Sequence, residues 1–307
     1  MAREAEDRNL SLRAGSGHGK GTLALVGPGR AGTTISLALC AQGYEAVGVA
    51  GRALDAASTQ AAAACLDAEA RFVAQVGVGA TLVIIATPDA AIEGVAAAMA
   101  PSLEPDALVL HLAGSRGLDV FAELRRRRPD VRVGGLHPLQ SFPSTTAGLD
   151  RLPGSWAAIA GDSGVETIAD LLEVRPFWIA DADRERYHAA AVVASNHLVA
   201  LLGQVERMAS AAGVPFAAFA PLVEASTANA FEIGPRAALT GPVVRGDLAT
   251  VERHLAAMDP GERDAYRALA REAARLAERR DRALRRLLDD LRSLDPSAAV
   301  ADDQNSG

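Results

Sequence analysis

The stretch LALVGPGRAGTTISLAL, residues 23–39, decides the fold: an apolar run of strand length breaks on a glycine cluster, and apolar residues then resume at helical spacing. Gly27, Gly29 and Gly32 fit G-x-G-x-x-G between a predicted strand and a predicted helix, the context of a dinucleotide-binding turn. Gly27 permits the tight turn, Gly29 lets the backbone approach a pyrophosphate, and Gly32 lets helix and strand pack closely. The helix N-terminus, opening at Arg30 and Ala31, offers unpaired N–H groups to the anion, and Arg30 can reach a phosphate. A merely tight strand-to-helix turn is the alternative reading.

Outward from this turn, β-prone runs alternate with alanine-rich helical stretches. The runs are TLALVG at 22, EAVGVAG at 45, TLVIIAT at 81, ALVLHLA at 107, VRVGGLH at 131 and WAAIAG at 156, followed by a short PFWIA. Alternation of this kind predicts a doubly wound, mostly parallel α/β sheet. Beyond about residue 181 only helical periodicity remains, over 183–212, 215–232, 247–258 and 262–292. The expected organisation is a disordered leader (1–20), a Rossmann-like dinucleotide-binding domain (21–180), an all-α domain for substrate and dimerisation (181–293) and a disordered tail (294–307).

The second strand ends Ala50-Gly51-Arg52, where NAD-binding proteins usually place a carboxylate for the ribose 2′-hydroxyl. Arg52 suits a 2′-phosphate instead, so NADP is expected in preference to NAD. Thr87-Pro88-Asp89 turns the chain at the carboxyl end of the next strand. Thr87 and Pro88 are therefore expected against the nicotinamide, with Asp89 opening a helix.

Composition narrows the function. A net charge of −7 without a clustered basic face argues against a nucleic-acid partner. The exception, RRRR at 125–128, ends a predicted helix and reads as a solvated face. Neither a secretion signal nor an uninterrupted apolar run of about 18 residues is seen, so a cytoplasmic protein away from membranes is expected. Cys40 and Cys65 sit at apolar helical positions and read as reduced, buried thiols. Six scattered histidines without HExxH or CxxC encode no metal site.

GPGRAG, AGR, ATPD, LHPLQSF, ASNHLVALL and LTGPVVRGDLATVERHL together resemble a bacterial family that joins a Rossmann-like NADP oxidoreductase domain to a helical C-terminal domain of unknown function. The resemblance spans about residues 22–290. More distantly the chain is similar to the 6-phosphogluconate dehydrogenase C-terminal-like superfamily, which includes prephenate dehydrogenase, pyrroline-5-carboxylate reductase and ketopantoate reductase. That likeness implies hydride transfer between NADP(H) and a small polar substrate.

Hydride transfer needs a proton donor or acceptor nearby. Several of those relatives use a lysine, but the only lysine here is Lys20, and Val192 stands four residues before Asn196, where theirs would be. His137 in GLHPLQSF matches the His-Pro motif of prephenate dehydrogenases and is the expected proton donor or substrate orienter; a structural histidine capping the strand is the alternative. Gln140 and Ser141 are expected to hydrogen-bond substrate. His188, Val192 and Asn196 recur four apart on one helix side, which makes His188 and Asn196 candidate catalytic groups. His111 reads as a satisfied core histidine. The close family carries serine where this chain has Ala113, leaving Ser115 as the nearby hydroxyl.

In TGPVVRGD, 240–247, the helical pattern breaks; Arg245 is a candidate carboxylate or phosphate ligand and Asp247 a helix cap. The final helix carries Tyr266, Leu269, Ala273, Leu276, Ala283, Leu287 and Leu291 on one stripe, which packs on its own domain or joins two chains; a homodimer is expected. The missing lysine and Ala113 leave a second functional reading, a non-catalytic NADPH-binding sensor.

Overall fold

The computed structural model describes residues 20–278. One sheet is built from β1 (Gly21–Val26), β2 (Tyr44–Ala50), β3 (Leu82–Ile85), β4 (Leu108–His111), β5 (Arg132–Pro138), β6 (Trp156–Gly161) and β7 (Arg175–Trp178). Their order is β2-β1-β3-β4-β5-β6-β7, and each neighbouring pair is parallel except β5 with β6. Every predicted strand is present, and PFWIA supplies most of β7.

Side chains of the central strands alternate between two apolar layers, as a pleated sheet buried on both faces requires. Leu23 and Leu25 of β1, Ile84 of β3 and Leu110 of β4 point to one face. There they meet Ile35 and Leu39 of α1 (Arg30–Ala41), Ala62 of α2 (Ala57–Leu66), and Val165 and Ile168 of a later helix, Gly164–Leu171. Ala24, Val26, Val83, Ile85 and Val109 point to the other face, against Ile92 and Met99 of α3 (Ile92–Met99) and against Phe121 and Leu124 beside α4 (Ala122–Arg127). The helices α5 (Thr145–Arg151) and α6 (Gly164–Leu171) follow. Each fully buried Leu or Ile contributes about 1.5–3 kcal/mol, so the two layers carry most of the stability of this unit.

The chain divides into two compact units, Met1–Asn196 and His197–Gly307. α7 (Arg184–Val192) belongs to the first, and a π-helical turn, Val193–His197, follows it. The second unit holds α8 (Leu198–Ala211), α9 (Ala220–Ile233), α10 (Pro235–Ala238), α11 (Pro242–Arg245), α12 (Leu248–Ala257) and α13 (Pro260–Glu278). Its core is small: Val243, Val251, Leu255, Ala270, Ala274 and Ala277.

Several expectations are refined. TGPVVRGD is not only a loop: Pro242–Arg245 forms one helical turn, closed by Gly246 at φ 72°. Asp247 caps α12, its carboxylate accepting the Thr250 N–H at 3.1 Å. The buried face of the last helix is shifted from the expected stripe: Ala270, Ala274 and Ala277, which lie off it, enter the small core, while Tyr266 and Ala273 pack beside them and Leu269 is exposed. Ala283, Leu287 and Leu291 lie outside the described residues, as do the predicted leader short of Lys20 and the tail. Three of the four arginines in the run are paired: Glu123 accepts from Arg126 and Arg127, and Arg128 binds Asp130 at 2.7 Å. Cys65 is exposed and Cys40 only partly buried, contrary to expectation, because α1 turns Leu39 inward and α2 turns Ala62, Ala63 and Leu66 inward instead; both thiols are free. The stretch Asp181–Ala211 is long and apolar enough to cross a membrane by length and composition, although His188, Ser195, Asn196, His197 and Gln204 interrupt it.

Two glycines of the first turn should respond differently to a methyl group. A Cβ at Gly32 would stand 2.6 Å from the Ala86 Cβ, whereas one at Gly29 meets nothing within 4 Å. Urea denaturation is expected to show Gly32→Ala losing about 1–3 kcal/mol through overpacking. Gly29→Ala should lose less than about 1 kcal/mol, the cost of a poorer cap.

Candidate active site

The strand order reverses direction between β1 and β3, and in open α/β sheets the crevice at such a point, beyond the carboxyl ends of the strands, is where ligands bind. Gly27 leaves β1 there in the left-handed region at φ 87°, its N–H held by Ala50 of β2 at 2.9 Å. A Cβ at Gly27 would fall 2.6 Å from the Ala86 carbonyl carbon, so only glycine lets β1 pass this close to the end of β3. Gly29 caps α1 and no side chain bonds the first-turn N–H groups, which include that of Ala31. The space over Gly29 is open. These are the features a pyrophosphate needs: free amides, a helix N-terminus and an absent side chain.

Around this cradle, Arg30 is tied to the Pro143 carbonyl at 3.2 Å. Arg52, just past β2, is exposed and forms no hydrogen bond or ion pair among the described residues. The Thr87 hydroxyl is buried and has no hydrogen-bond partner. Pro88 precedes a 3-10 turn opening at Asp89. The Asp89 side chain does not cap that turn; it accepts a very short hydrogen bond from Ser115. Ser115, two residues beyond Ala113, therefore spends its hydroxyl on Asp89.

A second group of polar residues gathers beyond β4 and β5, where α7 begins. His137 Nδ1 lies 2.7 Å from the Tyr187 hydroxyl, and its ring meets that of His188 edge-on with centroids 5.8 Å apart. Gly114 makes room for both rings: a Cβ there would be 2.6 Å from His188 Cδ2 and 2.9 Å from His137 Nε2. Phe177 of β7 packs edge-on against Tyr187 at 5.7 Å and fixes the phenol. His111, at the end of β4, is fully buried; its Nδ1 accepts the Ala113 N–H at 3.2 Å, and its Nε2 has no hydrogen-bond partner. Beside it lies Arg184, also fully buried, whose Nε bonds Asp181 at 3.2 Å.

Burial sets the charges. Desolvation, with the nearby His188 and the Arg184 guanidinium adding to it, pulls His137 down to about 4, and desolvation with Arg184 pulls His111 down to about 4. Desolvation pushes Tyr187 up to about 12. At neutral pH both imidazoles are therefore uncharged and the phenol keeps its proton. The His137–Tyr187 pair can exchange a proton with a group facing Nε2 without carrying a standing charge. A neutral ring still carries one N–H, so the expected roles of proton donor or substrate orienter both stay open to it.

The other sequence candidates are placed as follows. His188 joins His137, but the π turn at 193–197 breaks the four-residue spacing on which its pairing with Asn196 rested. Asn196 is exposed and accepts from the Ser195 hydroxyl at 2.9 Å. Gln140 donates to the Arg151 carbonyl at 3.2 Å and accepts the Ser141 N–H at 2.8 Å, so its amide closes the loop after β5. Arg245, in the helical unit, is exposed; the Asp247 carboxyl nearby is held below its usual range mainly by the hydrogen bonds from Thr250, with Arg245 adding the least. Tyr187 and Arg184 were missed. Both sit in DRERYH, whose charge density reads as a solvated helix start, and only the aromatic ring next to His188 hinted otherwise.

Two family profiles match the chain: a Rossmann-like domain over residues 14–134, and a domain of unknown function, DUF2520, over residues 158–273. This is the pairing that the motifs resemble. No curated protein matches the sequence. Among solved structures, a Bacteroides fragilis protein described as a candidate NADP oxidoreductase is 26% identical with a TM-score of 0.72, over 84% of this chain and 98% of its own. A Thermotoga maritima protein is 25% identical with a TM-score of 0.62, over 83% and 98%. The imine reductase of Myxococcus stipitatus in complex with NADP+ shares the fold, at 16% identity and a TM-score of 0.60, over 87% and 99%.

The buried histidines make stability fall in acid. His111 titrates at about 4 when folded and, unfolded, at about 6.5. The unfolded chain therefore binds more protons between these values. The contribution is full above about pH 6.5 and is lost as the pH drops toward 4, by about 3 kcal/mol for His111 alone. Urea midpoints across this range are expected to fall steeply for the parent and less steeply for His111→Gln, whatever the variant's starting stability.

Proposed function

We propose that this protein is an NADP-dependent oxidoreductase that transfers a hydride between NADP(H) and a small polar, carboxylate-bearing substrate. The observation that carries the reading is the cradle between β1 and α1: a left-handed Gly27, open space over Gly29, and first-turn amides without a capping side chain. The 26% identity to the Bacteroides fragilis protein described as a candidate NADP oxidoreductase supports it. Bound there, the coenzyme would supply or accept the hydride. The amides from Gly29 to Gly32 hold the pyrophosphate, Arg52 meets the 2′-phosphate, and Thr87 offers its unpaired hydroxyl at the edge of β3. His137 gives or takes the accompanying proton, with Tyr187 orienting its ring and His188 closing the opposite side; Asn196 is assigned to the substrate.

Calorimetry tests the reading directly. NADPH should bind more tightly than NADH by about tenfold or more, since a charged hydrogen bond is worth about 1.5–3 kcal/mol. Arg52→Gln should remove that preference while leaving NADH unchanged. Absence of heat with either coenzyme would overturn the proposal, and tight NADPH binding without turnover on any ketoacid or imine would favour the sensor.

We also propose that the protein works as a soluble homodimer joined through the helical unit. No residue of α9 is buried along its 14 residues, and Leu222, Phe231 and Ile233 are exposed, Phe231 at 89%. An isolated helix of that length is marginal in water. Apolar residues on more than one of its sides call for a partner that surrounds it, which the same helices of a second copy can do. Light scattering should give twice the chain mass, and Leu222→Glu with Phe231→Glu should shift it to monomer; a parent monomer at micromolar concentration refutes the dimer.

A further inference from the structure

Helix α7 places Arg184, Tyr187 and His188 at i, i+3 and i+4, so the three share one face, while Glu185, Arg186, Ala189 and Ala190 are exposed. That face packs against β5, with the Tyr187 hydroxyl 2.7 Å from His137 Nδ1 and the two rings edge-on at 5.6 Å. One turn back on the same face, Arg184 is fully buried. Asp181 meets it through Nε alone and is itself half exposed, and Nη1 and Nη2 have no hydrogen-bond partner among the described residues. A buried positive charge, only partly answered, therefore stands one helical turn from the phenol.

The direction of the hydrogen bond follows from acid strength. A phenol hydrogen is more acidic than an imidazole N–H, and an imidazole nitrogen is a better acceptor than a phenol oxygen, so the Tyr187 hydroxyl donates and Nδ1 accepts. The neutral ring then carries its hydrogen on Nε2. No hydrogen bond among the described residues engages that nitrogen, and His137 is only partly buried. Burial holds the phenol up at about 12, against the pull of Arg184. Burial, then His188 and Arg184, hold the ring down at about 4, against the pull of Asp89. At neutral pH the resting pair is therefore a phenol and an Nε2–H imidazole, which can give a proton at Nε2 and has no vacant nitrogen there to take one.

We propose that Tyr187 is the proton source behind His137, with Arg184 as its counter-charge, so that the site delivers a proton and its substrate is a compound with a C=O or C=N bond to be reduced. The proposal rests on the preceding reading for the hydride alone. When hydride addition to the carbon leaves an electron pair on the substrate oxygen or nitrogen, the Nε2–H bond breaks and that atom takes the hydrogen. Nδ1 takes the phenol hydrogen in the same step, and the electron pair is left on the Tyr187 oxygen. A phenolate is a far weaker base than an alkoxide, so the transfer runs downhill, and the guanidinium one turn away offsets the new charge. Solvent then returns the proton to Tyr187. Oxidation of an alcohol would start from the phenolate, which is absent at neutral pH.

The test uses NMR on the full-length chain without coenzyme or substrate. Its histidines are labelled at nitrogen, and its tyrosines are replaced by a fluorinated tyrosine acidic enough to ionise while the protein stays folded. His137→Gln and Tyr187→Phe assign the two signals. At neutral pH the unfluorinated parent should show His137 protonated on Nε2 and bare on Nδ1. Ionising the fluorinated phenol at 187 should move the ring hydrogen to Nδ1 and leave Nε2 bare, which is the proposed relay with solvent as acceptor. Arg184→Gln should raise the proton affinity of that phenol by about threefold or more. A resting ring protonated on Nδ1, a phenol that ionises while Nε2 keeps its hydrogen, or an unmoved midpoint in Arg184→Gln overturns the proposal. The tautomer switch in the otherwise unchanged chain decides the matter even where the arginine variant fails to fold. A switch seen in a chain that gives no heat with NADPH would sustain the relay while the coenzyme reading fell, and coenzyme binding without a switch would do the reverse.

Discussion

The close passage of β1 against the end of β3 is the constraint on which the rest depends. It exists because positions 27 and 32 carry no side chain: a Cβ at either would come within 2.6 Å of Ala86. With that passage in place, α1 starts immediately after the strand, its axis and free amides aimed at the point where the sheet order reverses. Gly29 has the opposite circumstance. Nothing packs on it, so its lack of a side chain contributes nothing to the fold and leaves room for a ligand. Three glycines in one motif thus divide between construction and access.

The polar cluster beyond β4 and β5 follows from the same frame. His111 and His137 end adjacent parallel strands, and the helix that begins at Arg184 covers them. Burial is the main reason both imidazoles stay neutral, and the guanidinium beside them adds to it, because a further positive charge there would be repelled. Neutral rings retain one acceptor and one donor nitrogen each, which is the condition for passing a proton on to Tyr187 or holding an oxygen of a ligand. The arginine therefore adds to the tuning of both histidines. An uncharged residue at 184 would let both rings titrate closer to their ordinary range.

How much of this was legible in the sequence depended on whether the signal was local. The strands around Leu23, Val83 and Val109 announced themselves through short apolar runs bounded by turns, and Gly27 and Gly32 through their spacing. His137 stood out because a proline fixes the turn behind it. Arg184 was hidden for a physical reason: in DADRERYH its neighbours Asp183, Glu185 and Arg186 are solvent-facing, and only the packing of α7 onto the sheet turns this one residue inward. The antiparallel pairing of β5 with β6 was likewise a property of the assembled sheet. The π turn escaped because an inserted residue leaves hydrophobic periodicity nearly unchanged while rotating everything beyond it, which is why His188 and Asn196 seemed to share a side.

The helical unit shows the complementary situation, local pattern without enough burial. Three of the six residues in its small core are alanines, and the buried faces of α11, α12 and α13 meet there, whereas α9 contributes nothing to it. Small side chains bury little area, and at about 25 cal/mol per Å² such a core supplies far less than the two layers flanking the sheet. Helices need tertiary packing more than intrinsic propensity to persist at this length. Within the described residues α9 finds no such packing, and its exposed Leu222, Phe231 and Ile233 are the apolar groups that the proposed dimer would cover. Among the described residues, then, α9 is the part of the helical unit whose apolar side chains lack a core of their own, and the run Asp181–Ala211 carries the same surplus of apolar surface.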